Sequence, residues 1–176
     1  MFRNFCCLVS FLTLLCSSCK NDTTALFTLL DKSSTGINFR NIFLDDGDLN
    51  LENYMYFYNG GGVAIGDINN DNLQDILFTG NMVKNRLFLN KGNFQFEDIT
   101  ARSGVADKQG WCTGATMVDI NGDGKLDIYI CRSADGNPVK RENLLFINNG
   151  DLTFSEQARK YGLADQGYST ESAFLD

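Results

Sequence analysis

Short apolar runs separated by clusters of Gly, Asn and Asp dominate the chain from residue 61 onward. Four of these runs span residues 75–79, 86–89, 127–131 and 143–147. They are four or five residues long and rich in aromatic and branched side chains, which is typical of β-strands. Residues 90–93 and 148–151 follow two of the runs and contain the Asn and Gly that tight hairpin turns require. The pattern therefore predicts short antiparallel strands.

The same pattern occurs more than once. The aligned pairs of segments are 61–78 with 113–130 at an offset of 52 residues, 85–96 with 143–154, 103–107 with 161–165, and 110–119 with 167–176. A repeat of this length with about four strands is typical of a β-propeller blade. WD repeats are excluded because there is no Gly-His pair and Trp111 is the single Trp.

We therefore predict an all-β fold, a β-propeller fragment of four-stranded antiparallel blades with about two blades and the start of a third. The predicted divisions are a lead-in segment over 20–56, repeat 1 over 57–109, repeat 2 over 110–166 and the start of repeat 3 over 167–176. Trp111 and Phe174 fall at repeat positions that are apolar, so we expect both to pack between blades and neither to stack on a ligand.

The first nineteen residues differ from the rest. Arg3 precedes an apolar run over residues 5–15, and Ser17 and Ser18 stand before Cys19. This layout predicts a secretory signal whose apolar part is too short for a membrane anchor. Small residues before Cys resemble a lipobox, although Cys16 stands where Leu is usual. We expect export to the cell envelope or outer membrane surface with lipid on Cys19; a plain cleaved signal or an apolar helix is the alternative.

Three of the six cysteines lie within the predicted signal, and Cys19 would carry lipid. Only Cys112 and Cys131 remain in the folded part. An oxidising compartment would permit them to form a disulfide. We favour two separate buried thiols in strands, since free Cys commonly packs as a small apolar residue.

The loop between the first two strands of each repeat carries the recurring chemistry. Oxygen-bearing side chains stand at positions 1, 3, 5 and 9 of both loops, namely Asp67, Asn69, Asp71 and Asp75 in loop 1 and Asp119, Asn121, Asp123 and Asp127 in loop 2. The position 7 carbonyls of Leu73 and Lys125 are further candidates. This set predicts Ca²⁺ in both loops, and a third site begins at Asp176; calcium suits irregular oxygen cages better than magnesium does.

Two alternatives to calcium in these loops are less consistent with the sequence. An EF-hand would need a bidentate Glu at position 12, where Phe78 and Ile130 stand. Ordinary turn composition would explain one such loop, but not two loops that agree at four positions. Asn72 and Gly124 at position 6 suit the sharp turn, because both tolerate positive φ. By contrast, residues 46–50 have no repeat partner and are interpreted as a solvated turn.

Composition narrows the function. The chain has no His, which excludes a Ser-His-Asp or Cys-His nucleophilic site. Its net charge of -7 disfavours nucleic-acid partners. Carboxylate catalysis stays possible, and acidic residues outside the loops are Glu97, Asp98, Glu142 and Glu156. For these four we favour a solvated surface role.

The two loops and their flanking strands resemble FG-GAP or VCBS repeats, which form calcium-bearing seven-bladed propellers. The extended pattern at residues 60–64, 85–90 and 96–100 is more narrowly similar to an exported bacterial family that often ends in an ASPIC/UnbV domain. The resemblance covers about residues 25–176 and implies that further blades are missing, so we expect an incomplete protein. Asn72, where the family usually has Gly, implies a slightly weaker first site.

We expect a non-catalytic, calcium-stabilised binding or adhesion module at the bacterial cell surface, with a protein or glycan ligand and a membrane contact through lipid only. The alternative is part of a polysaccharide-acting surface enzyme whose catalytic residues lie in the missing C-terminal part. The missing sequence would discriminate between the two functions.

Overall fold

The computed structural model describes residues 25–44, 49–106 and 110–175. The chain divides into two compact units, 1–30 and 31–176. In the first unit the described residues, 25–30, are exposed and contain no helix or strand. The predicted signal over 1–19 with Cys19, most of the turn at 46–50 and the third site at Asp176 lie outside the described residues. Within the described part, no helix is both long and apolar enough to span a membrane.

The second unit is all-β, as predicted. Its strands are β1 (Val63–Gly66), β2 (Asp75–Phe78), β3 (Arg86–Asn90), β4 (Phe96–Asp98), β5 (Trp111–Val118), β6 (Asp127–Ser133), β7 (Leu144–Asn148) and β8 (Phe154–Glu156). They form two antiparallel sheets in the orders β1-β2-β3-β4 and β5-β6-β7-β8. Each sheet has the meander order of a propeller blade. The four apolar runs of the sequence correspond to β2, β3, β6 and β7.

The described ranges also contain four single-turn helices that were not predicted: α1 (Lys32–Thr35), α2 (Thr100–Ser103), α3 (Pro138–Arg141) and α4 (Ala158–Tyr161). Helices α2 and α4 occupy the same place in their repeats, directly after the fourth strand. Each ends at a glycine in the left-handed region, Gly104 with φ 80° and Gly162 with φ 71°. One turn is too short to give a hydrophobic period, so periodicity does not mark these helices in the sequence.

The core lies between the two sheets. Leu77, Leu87, Ile128 and Ile130 are fully buried in one apolar cluster that both sheets share. Gly66 in β1 is closely approached, since a Cβ there would lie 2.7 Å from Leu126 Cδ1 and 2.8 Å from Met117 Sδ. The side chains of blade 2 therefore fill the space that a larger residue in β1 would need.

Two backbone hydrogen bonds connect repeat 1 to repeat 2, and two equivalent bonds connect repeat 2 to repeat 3. Gly62 donates to the carbonyl of Thr113 at 2.8 Å, and Gly114 donates to the carbonyl of Thr170 at 2.9 Å. The second pair joins Cys112 N to Gly80 O at 3.2 Å and Ser169 N to Arg132 O at 3.1 Å. Residues 167–175 thus lie along blade 2 as β5 lies along blade 1.

Aromatic side chains from residues 31–44 and 49–59 pack against the start of β5. Trp111, only 3% exposed, packs against Tyr54 and Phe57 with ring centroids 5.6 and 5.4 Å apart. The expectation that Trp111 is a packing residue agrees with this burial, but its partners come from the lead-in segment as well as from a blade. Phe174 packs edge-on against Tyr129 at 5.4 Å, as its repeat position predicts.

The two cysteines of the folded part are buried thiols and are not joined by a disulfide. Cys112 lies in β5 and Cys131 lies in β6. Burial raises the pKa of the Cys131 thiol, which keeps it protonated near neutral pH. The favoured prediction of separate small apolar residues in strands agrees with this arrangement.

Candidate metal centre

The two predicted loops follow the same backbone path. Loop 1 joins β1 to β2 and loop 2 joins β5 to β6. Positions 4 and 6 are left-handed in both loops, with φ 59° at Asn70, 66° at Asn72, 72° at Gly122 and 80° at Gly124. The expectation of positive φ at position 6 is confirmed. Asn and Gly are the residue types that adopt this conformation at least cost, so the sequence directly encodes the curl of each loop.

The position 1 carboxylate is at the centre of each loop. Asp67 accepts hydrogen bonds from the backbone N–H groups of Asp71 at 3.1 Å and Asn72 at 2.6 Å. In loop 2, Asp119 accepts the equivalent bonds from Asp123 at 3.1 Å and Gly124 at 2.8 Å. These bonds hold positions 5 and 6 around position 1. The loops therefore agree in hydrogen bonding as well as in sequence.

Positions 3 and 5 are also bonded to each other. Asn69 donates its side-chain amide to Asp71 Oδ2 at 2.9 Å, and Asp71 Oδ1 accepts from the Leu73 N–H at 2.8 Å. Loop 2 repeats both bonds, with Asn121 Nδ2 to Asp123 Oδ2 at 3.4 Å and Lys125 N to Asp123 Oδ1 at 3.0 Å. Both loops are exposed at these positions, so solvent reaches them.

Loop 2 contains a positively charged side chain that loop 1 lacks. The Lys125 ammonium group lies 3.1 Å from Asp123 Oδ2, whereas Leu73 stands at the same position of loop 1. The hydrogen bond from the Lys125 side chain, together with that from its backbone N–H, lowers the pKa of Asp123. The two sites are therefore electrostatically unequal.

The position 9 carboxylates are fully buried. Asp75 accepts hydrogen bonds from Ile68 N at 2.9 Å and Asn90 N at 2.8 Å. Asp127 accepts from Ile120 N at 3.1 Å and Asn148 N at 2.8 Å. Burial raises the pKa of both carboxyls, and nearby carboxylates of the same loop raise them further, while the N–H donors act in the opposite direction. Each of these residues joins its loop to the third strand of its blade.

The donor set of each loop fits a hard cation. All side chains at positions 1, 3, 5 and 9 present oxygen, which calcium prefers to nitrogen or sulfur. Within the ranges that the structure describes, no three His, Cys, Asp or Glu side chains already form a metal cage by themselves. The loop carboxylates instead accept backbone N–H groups. A carboxylate has about four acceptor positions, so two or three such bonds leave capacity for a cation.

Sequence reasoning missed two residues that support the loops. Asn90 and Asn148 end β3 and β7, and both donate their backbone N–H to the position 9 Asp. Each also accepts a hydrogen bond from the turn glycine two residues later, Gly92 at 2.8 Å or Gly150 at 2.9 Å. Composition alone places both residues in turns. Their recurrence at equivalent repeat positions is the signal that marks them.

The four carboxylates outside the loops have partners on the surface. Asp98 lies 2.9 Å from Arg86 Nη1 and accepts the N–H of Thr100, and Glu156 accepts the N–H of Ala158 at 2.7 Å. Glu142 accepts two hydrogen bonds from Arg159 at 2.9 Å. Glu97 lies 3.9 Å from Arg102 Nη2. Each of the four therefore has a hydrogen-bond or ion-pair partner of its own.

A pocket of about 420 Å³ lies between the β2–β3 connection and the start of β5, with Asn85 and Trp111 among its lining residues. The buried Asn85 Nδ2 has no hydrogen-bond acceptor. Its counterpart Asn143 donates to Tyr129 Oη and Ser169 Oγ, each at 2.9 Å. Leu77 of repeat 1 stands at the position of Tyr129, and Cys112 of repeat 2 stands at the position of Ser169 in repeat 3, which accounts for the difference between the two amides.

The segment that contains both loops is similar to a known protein family. A family model described as FG-GAP-like repeat matches residues 67–130. The chain carries an FG-GAP-like repeat. The matched range of this FG-GAP-like region begins at position 1 of loop 1, includes all of loop 2 and ends within β6.

The chain is also similar to cartilage acidic protein 1 from three animals. It is 32% identical to the Xenopus tropicalis protein over 131 residues, which is 73% of this chain and 19% of the relative. It is 39% identical to the Homo sapiens protein over 102 residues, covering 57% of this chain and 15% of the relative. The Mus musculus protein is 39% identical over 69 residues, 39% of this chain and 11% of the relative. The matched segments are less than a fifth of each relative.

Proposed function

We propose that this chain is part of a calcium-stabilised β-propeller that binds a macromolecular partner and performs no chemistry of its own. The FG-GAP-like repeat supports a propeller binding module. The observation that carries the calcium assignment is the agreement of the two loops, which have the same oxygen donors, the same left-handed positions and the same internal hydrogen bonds. Turns that share only composition have no reason to agree in all three respects.

Electrostatics supports the same assignment. Each loop gathers three carboxylates, one of them fully buried, and the whole chain has a net charge of -7. The repulsion among these carboxylates opposes folding, and a divalent cation replaces it with attraction. Because the ligands come together only in the folded loop, calcium would stabilise the fold by RT ln(1 + [L]/Kd), about 2.7 kcal/mol at a hundredfold excess over Kd.

The surface supports a binding role more than a catalytic one. The carboxylates outside the loops form ion pairs or accept the N–H at the start of a single-turn helix, as Asp98, Glu142 and Glu156 do. The absence of His from the sequence removes the commonest general base. Propellers present their loops to partners, and we propose a protein or a glycan as the ligand.

We further propose that the protein is exported and held at a membrane surface by lipid on Cys19. The support comes from sequence alone, because residues 1–19 lie outside the described ranges. Arg3, the short apolar run and the small residues before Cys19 are the features that carry it. In this arrangement the propeller would face the exterior, where millimolar calcium fills even weak extracellular sites.

Thermal melts in calcium and in chelator test the calcium assignment. Asp71→Ala and Asp123→Ala should each remove one site and lower the melting temperature in calcium, with a much smaller effect in chelator. Asp151→Ala is the matched control, since Asp151 is an exposed carboxylate that bonds to its own turn at Thr153 but lies outside both loops. Identical wild-type melting curves in calcium and in chelator would overturn the assignment for both loops.

A further inference from the structure

Asn148 contacts both candidate calcium loops at once. Its side-chain amide donates to the carbonyl of Ile68 in loop 1 at 2.8 Å and to the carbonyl of Leu126 in loop 2 at 3.1 Å. Its backbone N–H donates to Asp127, the position 9 carboxylate of loop 2. Asn148 is 3% exposed, so water does not compete effectively for these bonds. One buried side chain therefore connects the backbones of two neighbouring blades.

A second hydrogen bond joins the loops directly. The side chain of Asn70, at position 4 of loop 1, donates to the carbonyl of Gly124, at position 6 of loop 2, with a distance of 3.0 Å. Both residues have left-handed backbones. The conformation of one loop therefore fixes the position of an acceptor for the other.

In the part of the chain that the structure describes, the equivalent residue of blade 1 is bonded within its own blade. Asn90 donates its side-chain amide to Gln74 at 2.9 Å and its N–H to Asp75, both within its own blade. Asn90 is half-buried, whereas Asn148 is buried. The bond from Asn148 to Ile68 is thus the feature that distinguishes the two residues, and it crosses from blade 2 to loop 1.

We infer that Asn148 is a positioning residue that couples the two loops, so that a calcium ion in loop 2 raises the affinity of loop 1, and conversely. This inference rests on the proposed calcium function. An ion bound by Asp127 would order the backbone of Leu126 and Asp127, and Asn148 would pass this order to Ile68. Because Ile68 lies between the ligands Asp67 and Asn69, loop 1 would then lose less conformational entropy on binding its own ion.

Calorimetric titration of the full chain with calcium alone provides the affinity test. Asp123→Ala removes the loop 2 ion. In an otherwise wild-type chain, this substitution should weaken calcium binding at loop 1 about fivefold or more. In an Asn148→Ala background, Asp123→Ala should leave the loop 1 Kd unchanged. The matched control is Asn90→Ala, which loses the same kind of bonds within one blade and should retain the effect of Asp123→Ala.

Amide hydrogen exchange provides a readout that does not depend on loop 1 binding an ion. In Asp71→Ala, where loop 1 is disabled, calcium in loop 2 should still slow the exchange of the Ile68 and Asn69 amides. Asn148→Ala should abolish this protection. If Asn148→Ala does not fold, Asn70→Gly is the second variant; it keeps a left-handed backbone at position 4 and removes the direct bond to Gly124, so it should reduce the protection.

The outcomes separate the inference from the function on which it rests. A wild-type chain that binds no calcium overturns the proposed function. If the wild type binds two ions, and the remaining site in Asp123→Ala and in Asp71→Ala keeps its wild-type Kd, calcium binding is supported and the coupling is overturned. Coupling that persists in Asn148→Ala overturns the role of Asn148.

Discussion

The Nζ atom of Lys125 lies 3.1 Å from Oδ2 of Asp123, within the second loop. A cation that uses Asp123 as a ligand must compete with this ammonium group, which loop 1 lacks because Leu73 stands in its place. The two sites should therefore differ in calcium affinity, and this contact makes loop 2 the weaker site. Asn72 acts in the opposite direction, because it is expected to weaken the site in loop 1.

The first prediction is that Lys125→Leu strengthens calcium binding at loop 2. The pair is about one-third exposed on both sides, so the gain should be modest, about two- to fivefold in Kd. Titration of calcium into Asp71→Ala, with and without Lys125→Leu, measures loop 2 alone. Lys160→Leu controls for the change in net charge and should have no effect. Weaker binding in Lys125→Leu would contradict the prediction.

The second prediction concerns the aromatic cluster that joins the lead-in segment to blade 2. Trp111→Ala should destabilise the fold by about 3–5 kcal/mol, because it opens a cavity beside Tyr54 and Phe57. Trp111→Phe should cost less, since it keeps most of the apolar volume and removes a buried indole N–H that has no acceptor. Denaturant unfolding followed by circular dichroism measures both. Equal stability of Trp111→Ala and wild type would show that the cluster is not part of the core.

The third prediction is a pH dependence at Glu142. Hydrogen bonds from Gln166 and Arg159 lower the pKa of this carboxyl in the folded protein. Its ionised form therefore stabilises the fold above the ordinary glutamate pKa of about 4.3, and this contribution is lost as pH falls through the lowered folded value. Glu142→Gln should lower the melting temperature at pH 7, and the difference from wild type should shrink in acid.

Thermal melts of protein freed of calcium, in calcium-free buffers across pH 3 to 7, provide the measurement for Glu142 and keep calcium out of the comparison. The exposed Glu52 offers a matched control, Glu52→Gln. A difference between Glu142→Gln and wild type that stays constant down to the lowest pH would show that the ionised carboxylate is not responsible.

The fourth prediction concerns the N-terminal segment. Cys19→Ala should release the protein from membranes or block its maturation, because the lipid-bearing thioether would no longer form. Fractionation of cells that express each form measures this directly, and Cys16→Ala is the control, since Cys16 lies within the same predicted signal. An unchanged membrane fraction for Cys19→Ala would leave only a cleaved signal.

Local patterns predicted most of the fold. Strands β2, β3, β6 and β7 could be predicted because each combines a short apolar run with turn residues at its ends. The division into two blades followed from the repeat alignment. The left-handed residues at position 6 of the loops were readable for the same reason. In these segments the chemistry of neighbouring residues decides the backbone.

Interactions between residues far apart in the sequence could not be predicted from it. The sequence shows Asn148 as a turn residue, but its bond to Ile68 O spans 80 positions and depends on how two blades pack. The partners of Trp111 were missed for a similar reason, because Tyr54 and Phe57 precede the aligned segments, which begin at residue 61. Side chains that connect repeats to each other, or to a non-repeated segment, have no local signature.

The hydrogen bonds from Gly62 to Thr113 and from Gly114 to Thr170 have a geometric consequence. A Cβ at Gly62 would lie 2.6 Å from Thr113 O, and one at Gly114 would lie 2.6 Å from Thr170 O, so both positions need a residue without a side chain. In a closed propeller such close approaches set the wedge angle between successive blades, and the wedge angles must add up to a full circle. An alanine at either glycine would widen one wedge, and the resulting error would appear where the ring closes, far from the substituted residue.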